Sequence, residues 1–421
     1  CLRRSCLSKK EEWEKNQIEL PQFDIDAMLN QTEKNPTWVH FGAGNIFRGY
    51  IAALQQELLD RNISKTGIIA AELYDYEIID RIYKPYDNLS LMITAGADGL
   101  TRKKVLASIS RGLKADPLFE DDWERLCSIF ENPSLQLVTF TITEKGYNLF
   151  DLKGEYLSDV KEDIKNGPNI PKSVMGKVVY LAYKRFKAGC FPIAFVSLDN
   201  CSRNGEKLFD SVMQIATKWA QANLVEKEFI DYLEDRNKVS FPWSMIDKIV
   251  PRPSDYVKNM LNEIGFIDMD IIKTSKNTFI APFVNTEKSQ YLVIEDAFPN
   301  GRQPLDIAGV FFCDRKTVED SERMKVQTCL NPLHTALAIF GCLLGYKTIY
   351  EEVEDKCLKR LIEMIGYDEG MAVVTDPKII NPKSYLNEVI CERFPNRFIP
   401  DTPQRIATDT SQKMPIRFGE T

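Results

Sequence analysis

The stretch TWVHFGAGNIFRG, residues 37–49, decides the fold of this 421-residue chain. Its first five residues predict a short strand, and YIAALQQELLD at 50–60 has the apolar spacing of a helix. GIIAAE at 67–72 predicts a second apolar strand. A strand, a glycine-containing turn, a helix and another strand form a βαβ unit, which indicates an α/β domain with a parallel sheet.

Further strands and helices alternate along the chain. LQLVTFT at 135–141 and PIAFVSL at 192–198 are nearly continuous apolar runs, typical of buried parallel strands. Helical patterns follow at 172–187 and 206–222, and GADG at 96–99 predicts the turn of a hairpin. SQYLVIE at 289–295 is predicted to add a strand at the edge of the sheet.

The character of the sequence changes after about Thr317, where long helical patterns take over. They cover 318–329, 335–346 and 352–365. We therefore predict a Rossmann-like, doubly wound, mostly parallel sheet domain over 1–284 and a mainly helical domain over 285–421. The chain ends at RFGET, which we expect to leave part of the helical domain absent.

Composition excludes several classes of function. Lys and Arg total 54 against 61 Asp and Glu, giving a net charge of −7 that opposes nucleic acid or an anionic membrane as the main partner. The longest apolar run, TALAIFGCLLGY at 335–346, is shorter than the ~20 residues that span a bilayer. The first residues contain no apolar segment that signals secretion.

The cysteines and histidines indicate the compartment and argue against a metal site. Ten cysteines without a CxxC pair are expected as scattered core residues in a reducing compartment, so we expect a cytoplasmic protein. Only two histidines, His40 and His334, are present. Zinc sites usually need several closely spaced His and Cys ligands, so no metal is predicted.

The glycine turn is a candidate dinucleotide site. Backbone N–H groups at the start of a helix can bind a pyrophosphate, although tight turns also use glycine for purely structural reasons. TITEKGY at 141–147 follows another strand at the same sheet edge. An acid after the second strand should bind the ribose, and Glu72 and Asp75 both qualify. The predicted cofactor-binding residues are Gly42, Ala43, Gly44, Asn45, Ile46, Glu72, Asp75, Thr143 and Glu144.

A second candidate group lies in KVQTCLNPLHTALA, residues 325–338. Asn331 and His334 are three positions apart and share one helix face. Lys325 becomes a general base if it is desolvated, and the alternative is an ordinary solvated lysine. Asn200, at the end of the 192–198 strand, could donate to a substrate oxygen or belong to a simple turn. A histidine on an apolar helix is also commonly a satisfied core residue.

Taken together, the motifs resemble the mannitol dehydrogenase family over nearly the whole chain. The resemblance is carried by FGAGNIFRG, TITEKGY, SLDNCSRNG, FPWSMIDKIVPRP, YLVIEDAFPNGRQPL, ERMKVQTCLNPLHTALA and RFPNRFIPDTPQRIATDTSQK. MIDKIVPRP and the YLVIEDAFPNGR stretch look most like the branch that interconverts D-mannonate and D-fructuronate. Mannitol 2-dehydrogenase and tagaturonate reductase activities are the alternatives within the family. A dinucleotide-binding sensor without catalysis is the alternative outside it.

The resemblance implies a metal-independent oxidoreductase that uses NAD and acts on a small sugar acid or polyol. An acid at Glu72 or Asp75 would repel a 2′-phosphate, which favours NAD over NADP. The implied catalytic residues are Lys325 as general acid/base, Asn200 and Asn331 around the substrate oxygen, His334, and Glu322 in a proton path. The implied substrate-binding residues are Asp247, Lys248, Arg405 and Lys413. Neither nucleic acid nor a membrane is an expected partner, and the oligomeric state is left open.

One spacing departs from the family. Lys325 precedes Asn331 by six residues and His334 by nine, one more than the family pattern in each case. On a straight helix, nine positions at 100° each place Lys325 opposite His334. Pro332 also removes a helical hydrogen bond. We therefore predict an irregular helix between Lys325 and Pro332, which would let the lysine, Asn200, Asn331 and His334 converge on one cleft.

Overall fold

The computed structural model describes residues 2–398, 401–408 and 410–419. Its strands are β1 (Ile18–Glu19), β2 (Trp38–Phe41), β3 (Ile68–Glu72), β4 (Ser90–Ala95), β5 (Thr101–Leu106), β6 (Ile109–Lys114), β7 (Leu137–Phe140), β8 (Ile193–Ser197), β9 (Val239–Ser240), β10 (Ser244–Asp247), β11 (Ile272–Lys273), β12 (Phe279–Ile280), β13 (Phe283–Glu287), β14 (Tyr291–Glu295) and β15 (Phe311–Cys313). Three positions of the RFPNRFIPDTPQRIATDTSQK motif, Ile399, Pro400 and Asp409, lie outside the described residues.

Helices lie on both sides of the predicted domain boundary. They are α1 (Lys10–Lys15), α2 (Ile25–Lys34), α3 (Ala52–Asp60), α4 (Glu120–Glu131), α5 (Ser158–Asn166), α6 (Val174–Gly189), α7 (Asn204–Gln221), α8 (Glu228–Glu234), α9 (Asp255–Glu263), α10 (Arg315–Arg323), α11 (Asn331–Leu344), α12 (Ile349–Glu354), α13 (Lys356–Glu363), α14 (Met371–Val373), α15 (Pro382–Glu388), α16 (Pro403–Ala407) and α17 (Thr410–Met414). After β15, every regular element in the described part of the chain is helical.

The central sheet has six strands in the order β6-β3-β2-β7-β8-β9, and all its neighbours are parallel. Counted along the chain, this order is 3-2-1-4-5-6, the doubly wound Rossmann arrangement. Strands β2, β3, β7 and β8 are buried along their whole length, as their continuous apolar sequences predict. The predicted fold class is confirmed, and the crevice between β2 and β7 is the point where strand order reverses.

Smaller sheets build on this domain. Strands β4 and β5 form the predicted antiparallel hairpin, joined by β1 and β13. The 289–295 strand exists as β14, but its predicted place at the edge of the main sheet is wrong: it pairs with β10 and β15 in a separate sheet. The predicted domain boundary between 284 and 285 stays a prediction, and it falls inside β13.

The helical region departs from its sequence pattern at two points. The predicted 352–365 helix is broken at Asp355, whose extended backbone separates α12 from α13 while its carboxylate caps α13. The 335–346 run belongs to α11, whose first half is buried, whereas Phe340, Leu343 and Leu344 are exposed. The helical stretch Arg315–Leu344 is long and apolar enough to cross a membrane, although 56% of its most apolar 18-residue segment is buried inside the protein.

The cysteines are less uniform than expected. Cys127 and Cys329 are buried free thiols, as predicted for core residues. Three other free thiols, on Cys342, Cys357 and Cys391, are exposed. Cys6 takes part in a disulfide. The expectation that the cysteines are core residues is therefore wrong for part of the set.

Candidate active site

The glycine turn after β2 closes against the end of β7. Gly42 has a φ of +102°, and a Cβ at this position would lie 2.2 Å from the Thr141 carbonyl oxygen. Only glycine combines this backbone conformation with this close approach. A Cβ on Gly44 would meet nothing within 4 Å, so open space lies beside the turn.

The two candidate ribose acids have different surroundings. Glu72 accepts hydrogen bonds from the backbone N–H groups of Ala43 (2.7 Å), Tyr74 (3.0 Å) and Asp75 (3.1 Å), so its carboxylate holds the glycine turn to the end of β3. Asp75 accepts from the Thr274 hydroxyl at 2.6 Å through Oδ2, while its buried Oδ1 has no hydrogen-bond partner within the described structure. Both of Glu72's oxygens are in use, whereas one of Asp75's is not.

The loop after β7 is held by a residue whose role the sequence did not reveal. Asp199 accepts from the backbone N–H groups of Ile142 and Thr143, at 3.0 and 2.8 Å, and from the Tyr147 hydroxyl at 2.6 Å. Thr143 has a φ of +64°, a conformation that a β-branched residue rarely adopts. Glu144 is exposed and pairs with Lys207. Asp199 therefore fixes the loop that presents Thr143 at the crevice.

Lys325 is buried against this edge of the sheet. It is 1% exposed, and its Nζ donates to Asn200 Oδ1 at 2.7 Å and to the Ile246 carbonyl at 2.8 Å. Burial lowers the pKa of the Lys325 amine, and the charges of Asp247 and Glu322 oppose that shift. The alternative of a solvated lysine is wrong. A desolvated amine with neutral acceptors is suited to exchange a proton.

The helix carrying Lys325 is irregular, as predicted. Residues Met324–Cys329 form a π-helical turn, and the Leu330 N–H donates to the Lys325 carbonyl five residues earlier, at 3.1 Å. Leu330 then leaves helical geometry, with φ −130° and ψ −63°, before α11 begins at Asn331. The wide turn accommodates the extra residue between Lys325 and Asn331.

The structure brings together some of the predicted catalytic residues. Asn200 contacts Lys325 directly, and Glu322 is close enough for its charge to act on the amine. The Asn331 side chain makes no hydrogen bond to the described residues. Convergence of Asn331 and His334 on the lysine therefore stays a prediction.

His334 belongs to a second group centred on Asp401. The His334 Nε2 lies 3.2 Å from Asp401 Oδ2, and its ring stacks on Phe394. Arg405, whose side chain is 67% exposed, contacts the same carboxylate. Burial acts to raise the pKa of Asp401, but the contacts with His334 and Arg405 hold it below its usual value. Lys413 donates to the carbonyl oxygens of Ile406 and Thr408.

A buried charged network adjoins Lys325, and sequence reasoning identified only part of it. Arg393, whose side chain is 3% exposed, donates to Asp247 at 2.6 and 3.0 Å and to Glu287 at 3.0 and 3.0 Å. The Tyr385 hydroxyl also donates to Asp247. Lys248 donates to the Glu287 carbonyl, and burial lowers its pKa to about 8. Arg393 is the first residue of the motif RFPNRFIPDTPQRIATDTSQK, but nothing distinguished it from the other residues of that motif, and no sequence signal pointed to Tyr385.

The residues of the crevice fit a dinucleotide better than a metal. The open space at Gly44 and the unpaired oxygen of Asp75 could receive a pyrophosphate and a ribose hydroxyl. Across the described ranges, no group of three or more His, Cys, Asp and Glu side chains could hold a metal ion.

Strand order, glycine turn and buried lysine define a Rossmann-type protein whose candidate catalytic groups lie at the sheet edge and on a following helical region. A family model described as the mannitol dehydrogenase Rossmann domain matches residues 36–307, and one for the mannitol dehydrogenase C-terminal domain matches residues 317–420. The chain belongs to the mannitol dehydrogenase family.

Relatives and solved structures agree with this assignment. A D-mannonate oxidoreductase of Thermotoga maritima is 59% identical over 422 residues, covering 100% of this chain and 78% of the relative. D-sorbitol dehydrogenase in its substrate-free form superposes with a TM-score of 0.81 at 27% identity, over 96% of this chain and 78% of that one. Pseudomonas fluorescens mannitol 2-dehydrogenase, in a ternary complex with NAD and D-mannitol, gives 0.78 at 26% identity, over 98% and 77%.

Proposed function

We propose that this protein is an NAD-dependent, metal-independent oxidoreductase that interconverts D-mannonate and D-fructuronate in the cytoplasm. The observation that carries the proposal is the contact between the buried Lys325 amine and Asn200, which follows β8 at the same edge of the parallel sheet as the glycine turn. Full-length similarity to a D-mannonate oxidoreductase supports the choice of substrate.

Asp75 is assigned to the ribose and Glu72 to the turn. Both of Glu72's oxygens already accept backbone hydrogen bonds, whereas Asp75 Oδ1 has none. Gly42 to Ile46 would bind the pyrophosphate, and Thr143 and Glu144 would line the adjoining crevice. When bound, NAD supplies or accepts the hydride at the substrate carbon.

The chain's own groups move the proton and position the substrate. In the reducing direction, the Lys325 ammonium gives a proton to the oxygen of the substrate carbonyl as that carbon receives the hydride. Asn200 and Asn331 stabilise this oxygen while negative charge develops on it. In the oxidising direction the neutral amine takes the proton from the substrate hydroxyl, and Glu322 lies one helical turn away as a path for its release.

The carboxylate of a sugar acid requires a cation in the cleft. Lys248, Arg405 and Lys413 are the candidates, and Arg252 stacks on Phe279 at 5.0 Å. Arg405 offers the planar fork that matches a carboxylate, and His334 beside it would bind substrate hydroxyls. Asp247, whose carboxylate is bound by Arg393 and Tyr385, would border the site from the sheet side.

Steady-state kinetics test the proposal directly. We expect the highest kcat/KM with D-fructuronate and NADH, ahead of tagaturonate, fructose and fructose 6-phosphate. Metal chelation should leave the rate unchanged. A preference for fructose would assign the protein to the mannitol 2-dehydrogenases. Absence of NADH oxidation with all four compounds would favour a dinucleotide sensor.

A further inference from the structure

The carboxylate oxygens of Asp247 accept hydrogen bonds from Arg393 and not from Lys325. Two guanidinium nitrogens of Arg393 donate to Asp247 Oδ2 and Oδ1, and the Tyr385 hydroxyl donates to Oδ2. Lys325 lies close enough for the charge of Asp247 to act on it, yet its two hydrogen bonds go to an amide oxygen and a backbone carbonyl. Both of those acceptors are neutral.

This arrangement matters because a buried lysine and a buried carboxylate attract each other strongly. In a low-dielectric interior, a direct ion pair would hold the proton on the amine. A lysine locked as an ammonium ion can donate one proton but cannot readily accept the next. Reversible proton exchange therefore requires that the carboxylate be neutralised by something else.

Arg393 has the geometry for this role. Its side chain is 3% exposed and lies between two carboxylates, Asp247 and Glu287, whose own side chains are 7% and 2% exposed. A guanidinium stays protonated and forms two parallel bonds to a carboxylate, which a lysine cannot do. Glu287 supports the guanidinium from its other side and is itself held by the Ile249 N–H.

We propose that Arg393 is a positioning residue that withholds Asp247 from Lys325, so that the lysine amine stays free to exchange a proton with the substrate. The proposal rests on the proposed function of Lys325 and adds a residue to it. Arg393 contacts neither that amine nor the crevice residues through any hydrogen bond found among the described residues. It acts only through Asp247.

The charges around the two groups agree with this role. The charge of Asp247 raises the pKa of Lys325 and that of Arg393 lowers it, while the guanidinium and the lysine lower the pKa of Asp247. The titratable and charged groups that face this pair are Glu322, Glu287, Lys248, Tyr50, Tyr291, Tyr385 and Arg393.

The test is the pH dependence of kcat for oxidation of D-mannonate with NAD, in which the acid limb reports the amine that must be neutral. Arg393→Gln should raise the apparent pKa of this limb by about one unit or more, which is a tenfold change in the proton affinity of the amine. Asp247→Asn should move it downward, and the double variant should lose the upward shift. Arg393→Lys keeps the charge without the fork and should give a smaller rise.

Arg397→Gln is the matched control. This arginine is exposed, lies four positions away and stacks on Phe398, so its replacement should leave the limb in place. An Arg393→Gln enzyme with an unmoved or lowered limb would overturn the proposal, whatever its kcat. Absence of turnover in the unmodified enzyme would instead count against the proposed function.

Two further variants cover the case in which Arg393→Gln does not fold. The Arg393→Lys enzyme alone must then show a raised limb. Glu287→Gln leaves the guanidinium entirely to Asp247 and must show a limb that is unchanged or lower. If both variants raise the limb equally, the network acts only as structural support, and the proposal fails.

Discussion

Lys325 and Asn200 are 125 positions apart in sequence and lie 2.7 Å from each other, amine nitrogen to amide oxygen. One comes from a helix of the C-terminal region and the other from the end of a strand in the parallel sheet. Neither region alone can form the site. Under the proposed mechanism, catalysis therefore requires that the helical region dock onto the sheet edge.

Replacing Lys325 by alanine should lower kcat by about two orders of magnitude or more, the usual loss when a general acid/base is removed. Affinity for NADH should change little, because the amine is not part of the glycine turn. Fluorescence titration of NADH and turnover of D-fructuronate give the two numbers. Lys316→Ala, on an exposed part of α10, is the control and should turn over normally. A near-normal kcat in Lys325→Ala would mean that another group moves the proton.

Exchanging the two acids after β3 should separate their roles. Asp75→Asn removes the charge that opposes a 2′-phosphate, so the kcat/KM ratio of NADP to NAD should rise about tenfold or more. Glu72→Gln should instead lower the melting temperature, because it weakens the acceptor of three backbone N–H groups. The reverse pattern, with Glu72→Gln relaxing cofactor choice, would assign the ribose to Glu72.

Adding a methyl group to each glycine of the turn should have opposite consequences. Gly42→Ala meets the Thr141 carbonyl and a φ of +102°, so it should cost roughly 1–3 kcal/mol of unfolding free energy. Gly44→Ala enters open space and should leave stability nearly unchanged while weakening NADH binding. Urea unfolding and NADH titration of both variants check this. Equal loss of stability in both would contradict the close approach at Gly42.

Stability should decrease with pH because of one buried acid. Glu352 is 0% exposed, neither of its carboxylate oxygens has a partner in the described structure, and burial raises its pKa from 4.5 to about 8. The folded state keeps this proton where the unfolded state has lost it, so this contribution is complete below pH 4.5 and is lost as pH rises to about 8.

Glu352→Gln should flatten that decrease, because an amide imitates the protonated acid and does not titrate. Melting temperatures measured between pH 5 and pH 8 give the slope. Glu354→Gln, on the exposed side of the same helix, should keep the slope of the unmodified protein. An identical slope in all three proteins would show that Glu352 is ionised in the fold.

The parallel sheet could be predicted because its strands are continuous apolar runs separated by helical patterns. Trp38–Phe41, Leu137–Phe140 and Ile193–Ser197 all lie where the sequence places them. The partner of β14 could not be predicted, since a run of apolar residues indicates a buried strand but not which strand lies beside it. Its antiparallel neighbour β10 is more than 40 residues earlier in the chain.

The parts of the candidate site that could be predicted are those with a signal in the local sequence. Pro332 and the spacing after Lys325 predicted the irregular helix because both act within one or two turns. The Arg393 network had no such local signal: Asp247, Glu287 and the helical stretch that carries Tyr385 and Arg393 are far apart in sequence. The resemblance pointed to Asp247, but nothing in the sequence showed that Arg393 binds it. Glu352 is similar, because its burial depends on packing of α12 against Gly341 on a different helix.

The π-helical turn at Met324–Cys329 changes how this chain can be aligned with its relatives. An alignment without a gap places Leu330, which has left helical geometry, where the family has its asparagine. Mutations transferred by counting from Lys325 would then alter a buried leucine and leave Asn331 intact. The gap belongs inside the wide turn, where one inserted residue changes the local hydrogen bonding and preserves the register of α11. When a residue of a relative is matched to this chain, positions before the turn should be aligned from Lys325 and positions after it from Asn331.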